Sequence, residues 1–385
     1  MLAFYGWTNL ILLNHINVKK TFYAAHQADL FVLKLPRVSD VLIDLIRDSG
    51  VFNAVYILHP FYWFEGKSIW RKIISLFHGN KVFLHYNKQL DQLAKGKQYD
   101  HFFTGALWSE SLHILHYFAL KNKSIKISYT EEGTVSYCEP AGLVRCMPRK
   151  GIREIALRCF HHWPWFRLAK KNVCSLYLYQ PALVNSATSI KIKALPQVTA
   201  CCALGGILDK LSAYQTLSRG GLGYKEADCI FFIPQVEINT SQTKKTEAIL
   251  KNIVKALPSQ RVLMRPHPAD GLASIRSFAD SSKSFQVDYS ALPIEALFFQ
   301  LPWDKKIIVS SRSSALIQPL LMFGKMPWVI MTHKLYDTPA TYGVDGSTLD
   351  ALVTRLYRGS GKLYIPDTQK ALEDTILEIS RQNQF

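Results

Sequence analysis

Two adjacent carboxylates stand directly before a glycine in this sequence of 385 residues. The segment KISYT is typical of a β-strand, and Glu131, Glu132 and Gly133 follow it. Neighbouring carboxylates repel each other and glycine weakens a regular element, so the triplet is either a solvated turn or a carboxylate held at a strand tip. A carboxylate held in this way can take a proton from a hydroxyl group.

Two other polar segments follow apolar, strand-like runs. In RPHP, residues 265–268, a histidine stands between two prolines, which fix the backbone and present the imidazole rigidly. In SSRSSAL, residues 310–316, hydroxyl groups and backbone N–H groups come at the predicted start of a helix, where an anion can bind. Each segment alone is typical of a turn or a cap. Together, the three segments supply groups for deprotonating a hydroxyl and expelling a phosphorylated leaving group.

The stretches between these segments predict an α/β fold. Apolar runs such as ADLFVLKL, NAVYILH and DCIFFIPQ alternate with amphipathic stretches such as VSDVLIDLIRDSG and KKTEAILKNIVKAL. Strands that are apolar along most of their length indicate parallel sheets with helices on both faces. The length suits two domains, with a boundary near residues 190–225. Ligands of such domains bind at the carboxyl ends of the strands, where all three polar segments fall.

Composition limits the partners and the compartment. The formal net charge of +17 implies an acidic partner, such as nucleic acid, an anionic membrane surface or an acidic substrate. The seven cysteines form no CxxC pair, so we predict neither a zinc site nor disulfides, and reduced thiols in a cytoplasmic protein. The apolar run near the N-terminus is interrupted by Asn9 and Asn14, which predicts neither a signal peptide nor a membrane span. Any contact with the inner face of the cytoplasmic membrane would be peripheral.

The segments YTEEG, RPHP and SSRSSAL resemble, in this order, the D/E-D/E-G, HP and double-serine motifs of bacterial sialyltransferases. That family includes capsular polysialyltransferases and lipooligosaccharide sialyltransferases. The resemblance implies a fold of the glycosyltransferase B type, with two Rossmann-like domains and a central cleft. It also implies transfer of sialic acid from CMP-sialic acid with inversion, and no metal or other cofactor. The sequence agrees in lacking the Asp-x-Asp motif that metal-dependent transferases use.

The resemblance assigns the catalytic roles. Glu132 matches the general base that takes the proton of the acceptor hydroxyl, and His267 matches the residue that hydrogen-bonds or protonates the departing CMP phosphate. Glu131 would raise the pKa of Glu132 by like-charge repulsion, or position it by hydrogen-bonding the backbone. Gly133 would let the acceptor approach the backbone closely.

The resemblance also assigns the donor site. Ser313 and Ser314 match the pair that binds the CMP phosphate. The segment SALPIEALF resembles a Pro-x-Glu segment of the family, which would place Glu295 on the ribose hydroxyls. Arg265 and Pro268, on either side of the Pro-His pair, complete the predicted donor-binding set.

These roles define the predicted domains. Residues 1–195 form the acceptor-side domain with the Glu-Glu-Gly motif, and residues 196–365 form the CMP-donor domain with the His-Pro and Ser-Ser motifs. Residues 366–385 are predicted to form a closing helix, and one arrangement is that this helix packs back on the N-terminal domain.

A basic segment, residues 141–171, has eight basic residues and one acidic residue, with tryptophans among them. It is either an amphipathic helix with solvated charges or a surface for an anionic acceptor or lipid headgroups. The second interpretation rests on Arg145, Arg149, Lys150 and Arg153. In the loop YGWTNL, residues 5–10, Thr8 or Asn9 are further candidates for contact with donor or acceptor.

Two other functions stay open at the level of the sequence. Another transferase of the same fold could use CMP-Kdo or CDP-glycerol as its donor. The positive charge also suits a nucleic-acid-binding protein, although the sequence has no zinc finger, RNP-like motif or helix-turn-helix. Transfer of one sugar and growth of a polymer are both compatible with the motifs.

Overall fold

The computed structural model divides into two compact units, Met1–Pro196 and Gln197–Phe385. The structure describes residues 1–61, 79–107, 109–138, 171–184, 190–219, 227–232, 240–257, 261–265, 285–288, 293–336 and 346–383.

The first unit alternates strands and helices. Its strands are β1 (Leu2–Gly6), β2 (Ala28–Leu33), β3 (Ala54–Leu58), β4 (His101–Thr104), β5 (Lys126–Thr130), β6 (Val173–Leu178) and β7 (Lys191–Ala194). Its helices are α1 (Asn9–Phe22), α2 (Asp40–Asp48), α3 (Gly79–Leu93), α4 (Ser109–Lys121) and α5 (Val135–Cys138), with a 3-10 turn at Pro181–Leu183.

The seven strands form one parallel sheet in the order β3-β2-β1-β4-β5-β6-β7. The central strands are apolar and buried, because helices cover the sheet: every residue of β1 and β2 is buried. The order reverses between β1 and β4, since β2 and β3 lie on one side of β1 and the later strands on the other. The carboxyl ends of β1 and β4 therefore flank the switch point at which open α/β sheets bind ligands.

The second unit repeats this plan. Its strands are β8 (Ala227–Phe232), β9 (Arg261–Arg265), β10 (Phe285–Val287), β11 (Ile307–Ser310), β12 (Trp328–Met331) and β13 (Leu363–Tyr364). Its helices are α6 (Cys202–Arg219), α7 (Thr240–Ala256), α8 (Ile294–Gln300), α9 (Gln318–Phe323), α10 (Gly346–Leu356) and α11 (Gln369–Asn383), with 3-10 turns at Val198–Ala200, Ser314–Leu316 and His333–Leu335.

The strands of this unit form a parallel sheet in the order β10-β9-β8-β11-β12-β13, with the switch point between β8 and β11. The predicted α/β class with two parallel sheets is thus confirmed. The closing helix α11 buries Leu372, Ile376 and Ile379 in the core of this second unit. Its packing on the first unit stays a prediction.

One predicted helix is shorter than the sequence pattern indicates. The segment SSALIQPLLMFG forms the 3-10 turn Ser314–Leu316 and then α9, rather than one continuous helix. Proline has no N–H group to donate, and Pro319 accordingly lies in the first turn of α9. The charge of a long helix dipole is therefore not available to an anion at this strand tip. No helix within the described ranges is long and apolar enough to cross a membrane.

Candidate active site

The first carboxylate of the pair points into the protein. Glu131, at the end of β5, is fully buried, and its Oε2 accepts hydrogen bonds from the Tyr137 hydroxyl and, at 3.0 Å, from the Tyr179 N–H. Its carbonyl oxygen accepts a bond of 2.8 Å from Asn14 Nδ2. Burial, reinforced by the charge of Glu131, raises the pKa of Tyr137 well above its ordinary value, so the hydroxyl keeps its proton. Glu131 thus joins the strand tip to α5, α1 and the end of β6.

Buried polar side chains of α1 support this strand tip. The Tyr179 hydroxyl donates to Asn14 Oδ1 at 2.9 Å and accepts from Asn17 Nδ2 at 3.3 Å. His15 Nε2 lies 2.9 Å from the Tyr5 carbonyl oxygen, and burial lowers the pKa of His15 to about 4, so its ring is neutral near pH 7. The sequence interpretation missed these roles, because the partners of Asn14 lie 117 and 165 residues away in the chain.

The second carboxylate points towards the loop after β4. A Cβ atom added to Gly105 would lie 3.2 Å from Glu132 Oε2 and 2.7 Å from Ile11 Cδ1. A side chain at residue 105 would therefore require the Ile11 side chain and the Glu132 carboxylate to shift from these positions. The two adjacent carboxylates therefore have different surroundings, and the effect of Glu131 on the pKa or the position of Glu132 stays a prediction.

The turn after the carboxylates requires glycine. Gly133 has a φ of 90°, a backbone conformation that residues with side chains rarely adopt. The turn brings Ser136 back, so that its Oγ accepts a bond of 2.8 Å from the Glu132 N–H. The close approach of an acceptor to Gly133 stays a prediction.

The position of Glu132 coincides with the switch point of the first sheet. Gly105 follows β4, and Ile11 belongs to the helix that follows β1. The Glu132 carboxylate lies close to Gly105, which Ile11 also approaches, so it is at the edge where β1 and β4 end, although Glu132 itself follows β5. This is the position at which an open α/β sheet presents groups to a ligand.

A cation that the sequence interpretation missed lies near Glu132. Burial lowers the pKa of the Arg37 guanidinium, and the carboxylates of Glu132 and Glu110 act in the opposite direction, so both lie within electrostatic range of it. Its Nε is buried and has no hydrogen-bond partner in the described ranges. The signal in the sequence is the segment LPRVSD, which places an arginine between the end of β2 and the start of α2.

Thr8 and Asn9 shape the loops at this edge. Thr8 Oγ1 caps α1 by accepting from the Ile11 N–H at 3.3 Å. Asn9 Nδ2 donates to the Arg37 carbonyl at 3.2 Å, and its Oδ1 accepts from the Ser39 N–H at 3.0 Å. Both side chains thus make local structural bonds, and Asn9 fixes the loop that carries Arg37.

The serines of the second unit lie at the switch point between β8 and β11. Ser310 Oγ donates to the Phe232 carbonyl at 2.7 Å, which ties the ends of these two strands together. Ser313 Oγ accepts from the Ala315 N–H at 3.1 Å and so caps the 3-10 turn that begins at Ser314. A capping hydroxyl uses an oxygen lone pair and keeps its own proton for donation.

The arginine before the Pro-His pair has an acidic partner. Arg265 Nη1 lies 3.1 Å from Asp288 Oδ2, and both side chains are buried. Burial raises the pKa of Glu295, while the nearby charge of Arg265 lowers it. Arg265 is therefore electrostatically linked to both Asp288 and Glu295, and Asp288 is a member of this group that the sequence interpretation missed.

Several predicted residues lie outside the described ranges. They are His267, Pro268, Arg145, Arg149, Lys150 and Arg153. The described residues contain no group of three His, Cys, Asp or Glu side chains that could hold a metal ion.

Three solved structures show what this chain is similar to in fold. One is a UDP-GlcNAc 2-epimerase from Neisseria meningitidis bound to UDP-GlcNAc, with a TM-score of 0.53, 11% identity, and coverage of 99% of this chain and 100% of that one. Another is a UDP-GlcNAc 2-epimerase from Methanocaldococcus jannaschii, with a TM-score of 0.53, 12% identity, and coverage of 98% and 91%. The third is the glycotransferase of kitacinnamycin, with a TM-score of 0.52, 11% identity, and coverage of 98% and 90%.

The fold is of the glycosyltransferase B type. The similarity covers nearly the whole chain, so it includes both Rossmann-like units. At such low identity it establishes the fold alone. No protein-family model matches the sequence, and no curated protein matches it either.

Replacing each glutamate by alanine should separate the two roles. Glu131→Ala leaves the Tyr137 hydroxyl and the Tyr179 N–H buried without their acceptor, so we expect the free energy of unfolding to fall by about 2–4 kcal/mol. Glu132→Ala, its matched control, should cost less than about 1 kcal/mol. Thermal unfolding followed by circular dichroism measures both. Equal losses of stability would contradict the division of roles.

Proposed function

We propose that the protein is an inverting, metal-independent sialyltransferase that moves sialic acid from CMP-sialic acid to a hydroxyl group of a bacterial surface glycan. The observation that carries the proposal is the Glu132 carboxylate, held against Gly105 at the switch point of the first sheet. The B-type fold supports it, because the Glu-Glu-Gly and double-serine motifs follow β5 and β11, at strand ends of the kind that bind ligands in open α/β sheets.

On the acceptor side, Glu132 is the general base. Its carboxylate takes the proton from the acceptor hydroxyl while the oxygen attacks the anomeric carbon of sialic acid. The Glu131 anchor and the Gly133 turn hold that carboxylate in place. A single displacement of this kind inverts the anomeric centre.

On the donor side, the bond between the anomeric carbon and the CMP phosphate oxygen breaks, and its electrons leave with CMP. His267 hydrogen-bonds or protonates that oxygen, and the hydroxyls of Ser313 and Ser314 donate to the phosphate. Glu295 binds the ribose hydroxyls. Arg265 is paired with Asp288, so we assign it to the positioning of Glu295 rather than to direct neutralisation of phosphate.

The acceptor side also offers a positive charge. Arg37 lies within electrostatic range of Glu132, and its buried Nε has no hydrogen-bond partner in the described ranges. A carboxylate of the acceptor would satisfy that atom and compensate the buried charge. We therefore propose an anionic acceptor, such as a sialylated or oligosialic glycan, which also agrees with the net charge of +17. The cytoplasmic location and the role of residues 141–171 stay predictions.

The catalytic assignment predicts the loss of transfer in two variants. Glu132→Gln removes the base with little change of shape, and His267→Ala removes the group at the leaving phosphate. Each should lower kcat by about 10²–10⁴-fold with CMP-sialic acid and sialyl-lactose. Mass analysis of the product measures transfer. Asp48→Asn, an exposed carboxylate at the end of α2, serves as the control and should retain activity. Near-normal transfer by both site variants would refute the assignment.

The role of Arg37 predicts a change in acceptor preference. Arg37→Ala should raise KM for sialyl-lactose about tenfold, because the carboxylate loses its partner, and should raise KM for lactose much less. Arg37→Lys should keep part of the preference, since it retains the charge without the planar fork. An equal rise for both acceptors would show that Arg37 does not bind the acceptor carboxylate.

The donor assignment predicts selective stabilisation by nucleotides. CMP should raise the unfolding temperature in proportion to the logarithm of its concentration above Kd, whereas UDP and GDP should have little effect. A larger shift with CDP than with CMP would favour the alternative donor CDP-glycerol, and CMP-Kdo is tested by direct assay. Stabilisation by UDP but not by CMP would contradict both the proposed sialyltransferase and the alternative that uses CMP-Kdo or CDP-glycerol.

A further inference from the structure

Two residues after β12 lie beside the serine loop. Strand β12 pairs with β11 in a register that sets Met331 opposite Ser310, and the Thr332 N–H donates to the Ser310 carbonyl at 3.0 Å. Thr332 and His333 therefore continue from the strand next to the one that carries Ser313 and Ser314. The sequence interpretation did not consider them.

Each of these two residues has a buried polar atom for which no described residue provides a partner. Thr332 is fully buried, and the side chain of His333 is only 8% exposed. Thr332 Oγ1 and His333 Nδ1 have no hydrogen-bond partner in the part of the chain that the structure describes. An unpaired buried polar group is destabilising, so two of them on consecutive residues at a strand tip indicate a place where a ligand supplies the bonds.

The partner of the imidazole defines what His333 offers. Its Nε2 lies 3.0 Å and 3.2 Å from the two oxygens of Asp350, so Nε2 donates to the carboxylate. Burial, reinforced by Arg312 and Lys334, lowers the pKa of His333 against the opposing effect of Asp350, which indicates a neutral ring near pH 7. In that tautomer Nδ1 is an acceptor. The missing group must therefore carry an N–H or an O–H.

The order of the strands indicates which part of a ligand reaches this position. Arg265 and Asp288 lie at the ends of β9 and β10, on one side of β11, and β12 lies on its other side. Glu295, in the first turn of α8, lies within electrostatic range of Arg265. If the ribose lies near Glu295 and the phosphate near Ser313, the group beyond the phosphate reaches the end of β12. In a nucleotide sugar, that group is the sugar to be transferred.

We infer that Thr332 and His333 form the subsite for the transferred sugar, with Arg312 beside them as the partner of its carboxylate. A hydroxyl or amide N–H of the sugar donates to His333 Nδ1, the Thr332 hydroxyl makes a second bond, and Asp350 fixes the imidazole. This inference rests on the proposed function, because it begins from a nucleotide phosphate bound at the serine pair.

The experiment compares the binding of CMP with that of a fluorinated, non-transferable CMP-sialic acid by isothermal titration calorimetry. Thr332→Val and His333→Ala should each weaken binding of the analogue about tenfold, since each removes one hydrogen bond to the sugar. They should change the Kd for CMP less than about twofold. Thr332→Ser retains the hydroxyl and His333→Asn retains an acceptor near the position of Nδ1, so both should bind the analogue nearly as the unmodified protein does.

The outcomes separate this inference from the proposed function. If Thr332→Val and His333→Ala weaken CMP and the analogue equally, or change neither, the sugar subsite is refuted while the donor assignment stands. If the unmodified protein binds neither ligand, both are refuted. Unfolding temperatures of all variants identify any that fail to fold, and the conservative pair then decides the result: an equal loss of CMP and analogue binding in Thr332→Ser or His333→Asn would also refute the subsite.

Discussion

The candidate site of the first unit depends on a buried carboxyl group. Glu131 is fully buried, and two donors, the Tyr137 hydroxyl and the Tyr179 N–H, replace water at its Oε2. These bonds join the end of β5 to elements that lie close to it only in the folded chain. The carboxylate of the next residue, Glu132, lies near Gly105, where the absence of a side chain leaves room for it. The same strand tip thus holds one buried carboxyl group and directs a second one towards the loop after β4.

One buried histidine in each unit illustrates how burial changes the role of a polar side chain. His15 is neutral because burial lowers its pKa, and it serves as a hydrogen-bonding group beneath the sheet edge. His333 is held in one tautomer by Asp350. Both imidazoles are neutral near pH 7, and a hydrogen bond at Nε2 orients each ring. In each unit, a neutral imidazole close to a strand tip thereby helps to define the geometry of the polar edge.

Much of the fold can be predicted from the sequence, because parallel strands buried on both faces are apolar along most of their length. The strands ADLFVL and DCIFF and the helix DVLIDLIRD are evident in this way. Strands β6 and β7 were not predicted, since they follow the basic segment and β7 alternates lysine with apolar residues. The prediction of one continuous helix after Ser313 was wrong, because Pro319 shifts the start of the helix. The site was only partly predictable. Local motifs mark the strand tips, whereas the interactions of Arg37, Asn14 and Asp350 depend on partners that are not adjacent in sequence.

Gly105 and Ile11 are distant in the sequence but approach each other in the fold. Any other residue there would bring a Cβ atom against Ile11 as well as towards the Glu132 carboxylate. Every amino acid except glycine has that atom, so a substitution at residue 105 requires the Ile11 side chain to shift. Homologous sequences that carry a larger residue at position 105 should therefore carry a smaller one at position 11. The pair would be visible as covariation between two positions that lie nearly a hundred residues apart in the sequence.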